Sequence, residues 1–167
     1  MKEIEFKKVT NTFSMVCRVE ARIQASSEII WGLLTDAKNF SSWNSTISGI
    51  DGDILEGERI RIRVPGTSRT FKPKISGVEI NKRMIWSDGI APIFRGSRSF
   101  ELNDSNNGST DFIMEEKFDG LVFAIVKNRL PDFKLIFETY AFDLKNEAER
   151  MASINSRASS PECTMKD

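Results

Sequence analysis

Two stretches near the middle of the chain each place one charge on an otherwise apolar face. Phe94, Gly96, Arg98, Phe100 and Leu102 alternate in phase, as do Phe112, Met114, Glu116 and Phe118. Between them Asn103-Asp104-Ser105-Asn106-Asn107-Gly108 reads as a turn, so the two stretches form a hairpin. Setting Leu102 opposite Thr110 puts Phe100 opposite Phe112, Arg98 opposite Met114 and Gly96 opposite Glu116. Arg98 and Glu116 are then diagonal neighbours, ~7–8 Å apart at the backbone and within side-chain reach. Extended to the preceding strand, the same register sets Trp86 beside Gly96 and Met84 beside Arg98. A guanidinium is a permanent cation rich in donors, whereas a carboxylate accepts hydrogen bonds or exchanges a proton. Burying either one unpaired is costly. Three readings stand open. The pair is a structural ion pair fixing the register, or it lines a cavity and orients a ligand's polar group, or the register differs and one residue is solvated. In the second reading Arg98 is the donor and Glu116 the acceptor or acid/base.

The other candidates for a ligand-binding wall are Met84, Trp86, Phe94, Phe100 and Phe118, all in phase with the charged pair, together with Trp43 and Tyr140. Trp43 falls on a short helix placed to cover a cavity mouth. Tyr140 lies on an apolar helical stripe, so its hydroxyl either finds a core partner or points into the pocket. Core packing is the competing explanation for each tryptophan. Glu116 and Tyr140 are the candidate catalytic groups. Arg59, Arg61 and Arg63 flank Ile60, Ile62 and Val64 as a solvated outer stripe.

Composition narrows the chemistry further. The 167 residues include no His, which removes the usual general base, nucleophile activator and commonest metal ligand. Cys17 and Cys163 lack a partner at a metal or redox spacing, so neither a metal site nor a cofactor is expected. The 24 Lys and Arg balance the 24 Asp and Glu without a basic block, which argues against nucleic acid as a partner. The first residues lack an apolar leader and no stretch approaches the ~18 apolar residues of a membrane span, so a cytoplasmic location without integral membrane association is expected.

These side chains need a scaffold. Met15, Cys17, Val19, Ala21 and Ile23 alternate as a half-buried strand within 15–24. Ser26-Ser27-Glu28 opens a short helix, and a second fits Asp36 to Trp43 with Asp36 as its cap. Strands follow around 59–64, 70–80, 84–88, 94–102 and 110–118, with an irregularity near Gly77 where the apolar phase changes. Such closely spaced strands form an antiparallel meander. After Gly120 a helix begins, is broken at Pro131, and gives way to one carrying Phe133, Ile136, Phe137, Tyr140, Leu144, Ala148 and Met151 on a single stripe of about five turns. The expected fold is α+β: a curved sheet of about seven strands around a long C-terminal helix, with an apolar cavity left between them. Residues 1–152 form one domain and 153–167 a flexible polar tail.

Several short motifs recur in a family-like order. Ile23-x-Ala25, Glu28-Ile29-Ile30-Trp31, Leu34-Thr35-Asp36, Trp43-Asn44, Gly57-Glu58, Met84-Ile85-Trp86, Gly96-x-Arg98-x-Phe100-x-Leu102, Glu116-x-Phe118-x-Gly120 and Phe137-Glu138-x-x-Ala141-x-x-Leu144-Lys145 are among them. From about Ser14 to Arg150 the chain resembles the SRPBCC, or START-like, superfamily, particularly its polyketide cyclase/dehydrase-like branch. The resemblance implies a helix-grip, Bet v 1-like fold that binds a small hydrophobic or aromatic molecule, lipid- or polyketide-like. It leaves a cyclase or dehydratase activity and a chaperone-cofactor or protein-interaction role as alternatives. Many members carry His where Arg98 stands, and because arginine does not deprotonate, the substitution weighs toward binding over catalysis.

Overall fold

The structure is a computed structural model describing residues 4–105, 107–126 and 132–158. Its first strand, β1 (Ile4–Thr10), pairs antiparallel with β2 (Ser14–Ile23), the strand legible from its alternation. β2 buries Met15, Cys17, Val19, Ala21 and Ile23, so its period of two becomes one continuous wall of the core.

Two short helices follow, α1 (Ser27–Thr35) and α2 (Phe40–Trp43). Ser26 sits at the N-cap of α1 but makes no side-chain capping bond. The carboxylate of Asp104 substitutes for it, accepting from the Ser27 backbone N at 3.3 Å and from its Oγ at 2.9 Å. Asp36 ends α1 instead of opening α2. Its carboxylate accepts from Asn39 N and Nδ2 and holds the turn between the helices, leaving α2 a single turn.

The strands divide into two sheets. β3 (Gly49–Asp51), β4 (Arg61–Arg63) and β5 (Thr70–Phe71) form the smaller, in that order. β6 (Lys74–Glu79), β7 (Arg83–Ile90), β8 (Phe94–Asp104) and β9 (Thr110–Asp119) join the N-terminal hairpin in a six-stranded antiparallel sheet ordered β1-β2-β9-β8-β7-β6. The strand expected over 70–80 is two strands, with Pro73, which has no N–H for a ladder, at the break. The irregularity near Gly77 is a register shift between Ser76 and Glu79, with Gly77 at φ 62°. Ile60 and Ile62 are buried while Arg59, Arg61 and Arg63 are exposed, and Arg63 pairs with Asp51.

After β9 come α3 (Phe123–Val126) and the 26-residue α4 (Phe133–Ala158). Phe133, Phe137, Tyr140, Ala141, Leu144 and Ala148 are the buried stripe that α4 lays on the sheet. α4 runs about 39 Å at ~1.5 Å per residue, two turns longer than its apolar stripe shows. Of the tail expected from Ser153, residues 153–158 continue the helix; residues 159–167 and the break at Pro131 lie outside the described residues. Among the described residues, no helix is long and apolar enough to cross a membrane.

Candidate functional site

A row of paired residues crosses the sheet at mid-height: Ile75, Trp86, Arg98, Glu116, Cys17 and Lys8, one from each strand of β6, β7, β8, β9, β2 and β1. Arg98 is directly opposite Glu116 instead of diagonal to it. Likewise Trp86 faces Arg98 and Met84 faces Phe100, not Gly96 and Arg98 as the expected register has it. The difference is two residues throughout. β8 continues through Asn103 and Asp104, and Asp104 pairs with Thr110, so the loop starts two residues later. A shift of two keeps every side chain on its face, which is why the same residues still converge.

Arg98 Nε and Nη2 both donate to Glu116 Oε2, at 3.1 and 2.6 Å, with the two side chains 20% and 15% exposed. The guanidinium carbon lies 5.6 Å from the Phe137 ring centre and 6.0 Å from that of Tyr140, one helical turn apart on α4. Burial works against the Arg98 charge, but the Glu116 carboxylate outweighs it and holds the guanidinium pKa above its ordinary value.

Beyond Arg98, Tyr140 stands in a cluster of rings. It stacks on Phe112 (centroids 6.4 Å apart, planes at 10°), and Phe40, Phe100 and Trp43 surround it at 6.3, 6.1 and 6.0 Å. Trp86 meets Phe100 edge-on at 4.9 Å and donates its indole N–H to the Met84 sulfur at 3.3 Å. Tyr140 is 1% exposed and its hydroxyl has no hydrogen-bond partner. Burial pushes its pKa well above the ordinary tyrosine value, with the Arg98 charge opposing, so the group stays a protonated donor.

No protein-family model matches the chain, and no curated protein matches it. Solved structures do match. A START superfamily protein from Mycobacterium smegmatis superposes with a TM-score of 0.61 at 17% identity, covering 81% of this chain and 98% of its own. The chain has the START-like helix-grip fold. Protein MLL2253 from Mesorhizobium loti shows the same likeness, with a TM-score of 0.62, 18% identity and coverage of 81% and 97%. CalU16 from Micromonospora echinospora covers 93% of this chain and 94% of its own at 14% identity and a TM-score of 0.57.

In this helix grip, the other seven nominated residues fall on either side of the Arg98–Glu116 pair. Trp43, Met84, Trp86, Phe100 and Tyr140 lie on one side. On the other, Phe94 stacks on Phe118, and Phe118 reaches Phe133 of α4 at 5.2 Å. Three further rings pack among them. Phe112 and Phe137 sit on stripes that the periodicities mark, in phase with Glu116 and one turn before Tyr140. Phe40, fully buried against Trp43 at 4.6 Å, comes from a single helical turn with no periodicity to reveal it. Where an apolar cavity is expected, these rings touch one another and occupy the space between sheet and α4. A hollow of about 340 Å³ lies instead between the start of β1 and the flank of α4, lined by Ile4, Glu138, Thr139 and Phe142 and open to solvent.

Proposed function

We propose that the chain binds a small hydrophobic or aromatic molecule between its sheet and α4, with the Arg98–Glu116 pair and Tyr140 orienting the ligand. The observation that carries this reading is the combination of a half-buried ion pair with an unpartnered buried hydroxyl in an otherwise apolar, ring-lined interior. A structural pair accounts for the charges alone; it gives no reason for the orphan hydroxyl. A ligand enters by displacing rings, and the wall best suited to move is the one-turn α2 carrying Phe40 and Trp43. Native mass spectrometry of protein purified from its own host, with a binding screen of fatty acids and aromatic polyketides, tests the reading. A co-purifying or screened ligand binding well below millimolar supports it; none at all removes it.

The catalytic alternative, a cyclase or dehydratase, needs Glu116 or Tyr140 to move a proton. Glu116 Oε2 accepts two Arg98 donors and Tyr140 holds its proton, so in such a reaction the base falls to Glu116 and the acid to Tyr140. Turnover abolished in Glu116→Gln while binding persists supports this alternative. A protein-interaction role draws on other observations. Among the described residues the rings occupy the space between sheet and α4, and Phe13, Ile93 and Leu121 on loops, Ile90 at the end of β7 and Ile125 in α3 stand 54–77% exposed, with backbone bonds from Gly120 N to Phe13 O and from Val122 N to Ile93 O joining these segments. Such a patch fits a protein partner with an apolar surface. Capture of that partner by the wild type but not by Ile93→Glu supports this role, and equal capture by both removes it.

A further inference from the structure

Three buried polar nitrogens and oxygens among the described residues lack a hydrogen-bond partner: Trp43 Nε1, Asn44 Nδ2 and Tyr140 Oη. They do not scatter. Trp43 and Asn44 are consecutive at the end of α2, and the Trp43 ring meets the Tyr140 ring edge-on at 6.0 Å. The seam is fastened one turn along α4, where Ser45 N and Oγ both donate to Asp143, at 2.8 and 2.7 Å. Buried orphans are few in native proteins and costly to leave unmade, so three at one seam call for an absent partner.

All three can donate. An indole nitrogen only donates. The Asn44 amide is fixed in orientation because its Oδ1 accepts from Thr46 N at 2.9 Å and Thr46 Oγ1 at 2.7 Å, which leaves the buried NH₂ group as the unpaired end. The Tyr140 hydroxyl is neutral and can supply its proton. Their shared missing partner is therefore an acceptor. It is also uncharged: Arg98 is already neutralised by Glu116, so a buried carboxylate here would be left without a counter-charge. The surrounding rings of Phe40, Phe100 and Phe112 favour a flat apolar body.

Resting on the ligand-binding reading above, we infer that the ligand presents a neutral carbonyl oxygen, as in an aromatic ketone or quinone, to the donors of Tyr140 and Trp43, with Asn44 Nδ2 as a further donor at the same seam. The ion pair is then a rigid polar neighbour of the site, while the orphan donors set its specificity.

Fluorene and 9-fluorenone, which differ by one carbonyl oxygen on the same flat skeleton, separate this inference from the broader reading. Titrated into the full chain and followed by tryptophan fluorescence, fluorenone should bind about tenfold more tightly than fluorene, the effect of one or two well-placed hydrogen bonds. Tyr140→Phe and Trp43→Phe should each reduce the ratio of the two affinities at least about threefold, whatever either variant does to fluorene affinity itself. The carbonyl stretch of bound fluorenone should move to lower wavenumber in wild type and return in the double variant, a readout independent of affinity. Circular dichroism identifies any variant that fails to fold, in which case the other variant and the wild-type infrared band decide. Equal affinity for the two probes, as expected if the donors hold only ordered water, overturns the inference and leaves the ligand-binding reading standing. Binding of neither overturns the inference, and the broader reading is then decided by the native-ligand search and the screen of fatty acids and aromatic polyketides.

Discussion

Replacing Glu116 by Gln removes one charge of the interior pair while preserving its shape. Arg98, 20% exposed, then keeps its cation and its two donors but faces a neutral amide oxygen. Breaking a fully buried pair costs ~3–5 kcal/mol and an exposed one ~0–1 kcal/mol. The low exposure of both partners places this pair nearer the first limit. Three things soften the loss: the amide oxygen still accepts, some solvent reaches the site, and the Phe137 and Tyr140 rings retain a cation–π attraction worth ~0.5–2 kcal/mol. The expected destabilisation is about 2–3 kcal/mol, or roughly 4–10 °C in Tm for a domain of this size. Urea unfolding monitored by tryptophan fluorescence measures it, as a lower midpoint at constant slope. The double variant Arg98→Met with Glu116→Leu removes both charges, and apolar replacement of a buried pair is often neutral or stabilising, so it should fall within about 1 kcal/mol of wild type or above it. A Glu116→Gln protein within about 0.5 kcal/mol of wild type would refute the reasoning, because it would mean that water already screens the pair.

Phe100, fully buried between Trp86, Phe112 and Tyr140, should cost about 3–5 kcal/mol on replacement by Ala, measured in the same urea assay. Gly89 and Gly57 both have positive φ, 96° and 86°, yet a Cβ at Gly89 would stand 2.2 Å from the Phe94 carbonyl oxygen whereas one at Gly57 meets open space. Gly57→Ala should therefore lose only about 1–2 kcal/mol, and Gly89→Ala distinctly more. Burial pushes the Cys17 thiol from 9.0 up to about 11, Lys8 opposing and Glu116 adding to the rise. The folded state holds this proton more tightly than the unfolded chain, so stability is full below pH 9 and falls between about pH 9 and 11. Cys17→Ala should flatten that part of the pH–stability curve, and in a Cys163→Ser background a thiol reagent should label Cys17 at the rate of unfolding.

The interior face of β8 and β9 is readable because side chains alternate strictly, and an error of two residues in register does not disturb the face. The register itself is hidden. Asn103 and Asp104 have loop chemistry, yet they extend the strand, and Asp104 is held there by its bonds to Ser27 and Thr110. β1 is obscure for a related reason. Its residues facing β2's buried row include Lys8, and Val9 is 61% exposed, so no apolar alternation marks this edge strand. The buried stripe of α4 is plain through Met151, but in its last turns the one large apolar residue, Ile154, is half exposed among Ser, Asn and Arg, so the sequence there resembles a tail. Hydropathy assigns Trp43, Trp86 and Phe100 to the interior without saying whether they line a space or fill it, since that depends on how the rings interlock in three dimensions.

The chain contains three tryptophans, and two of them, Trp43 and Trp86, belong to the ring cluster between sheet and helix, while Trp31 is on α1. Indole N–H resonances recorded while 9-fluorenone is titrated into the ¹⁵N-labelled protein therefore test the site directly. Saturable shifts of Trp43 and Trp86, with Trp43 moving downfield as its N–H gains an acceptor and Trp31 static, are the predicted result. Unmoved Trp43 and Trp86 resonances at saturating probe would contradict the account.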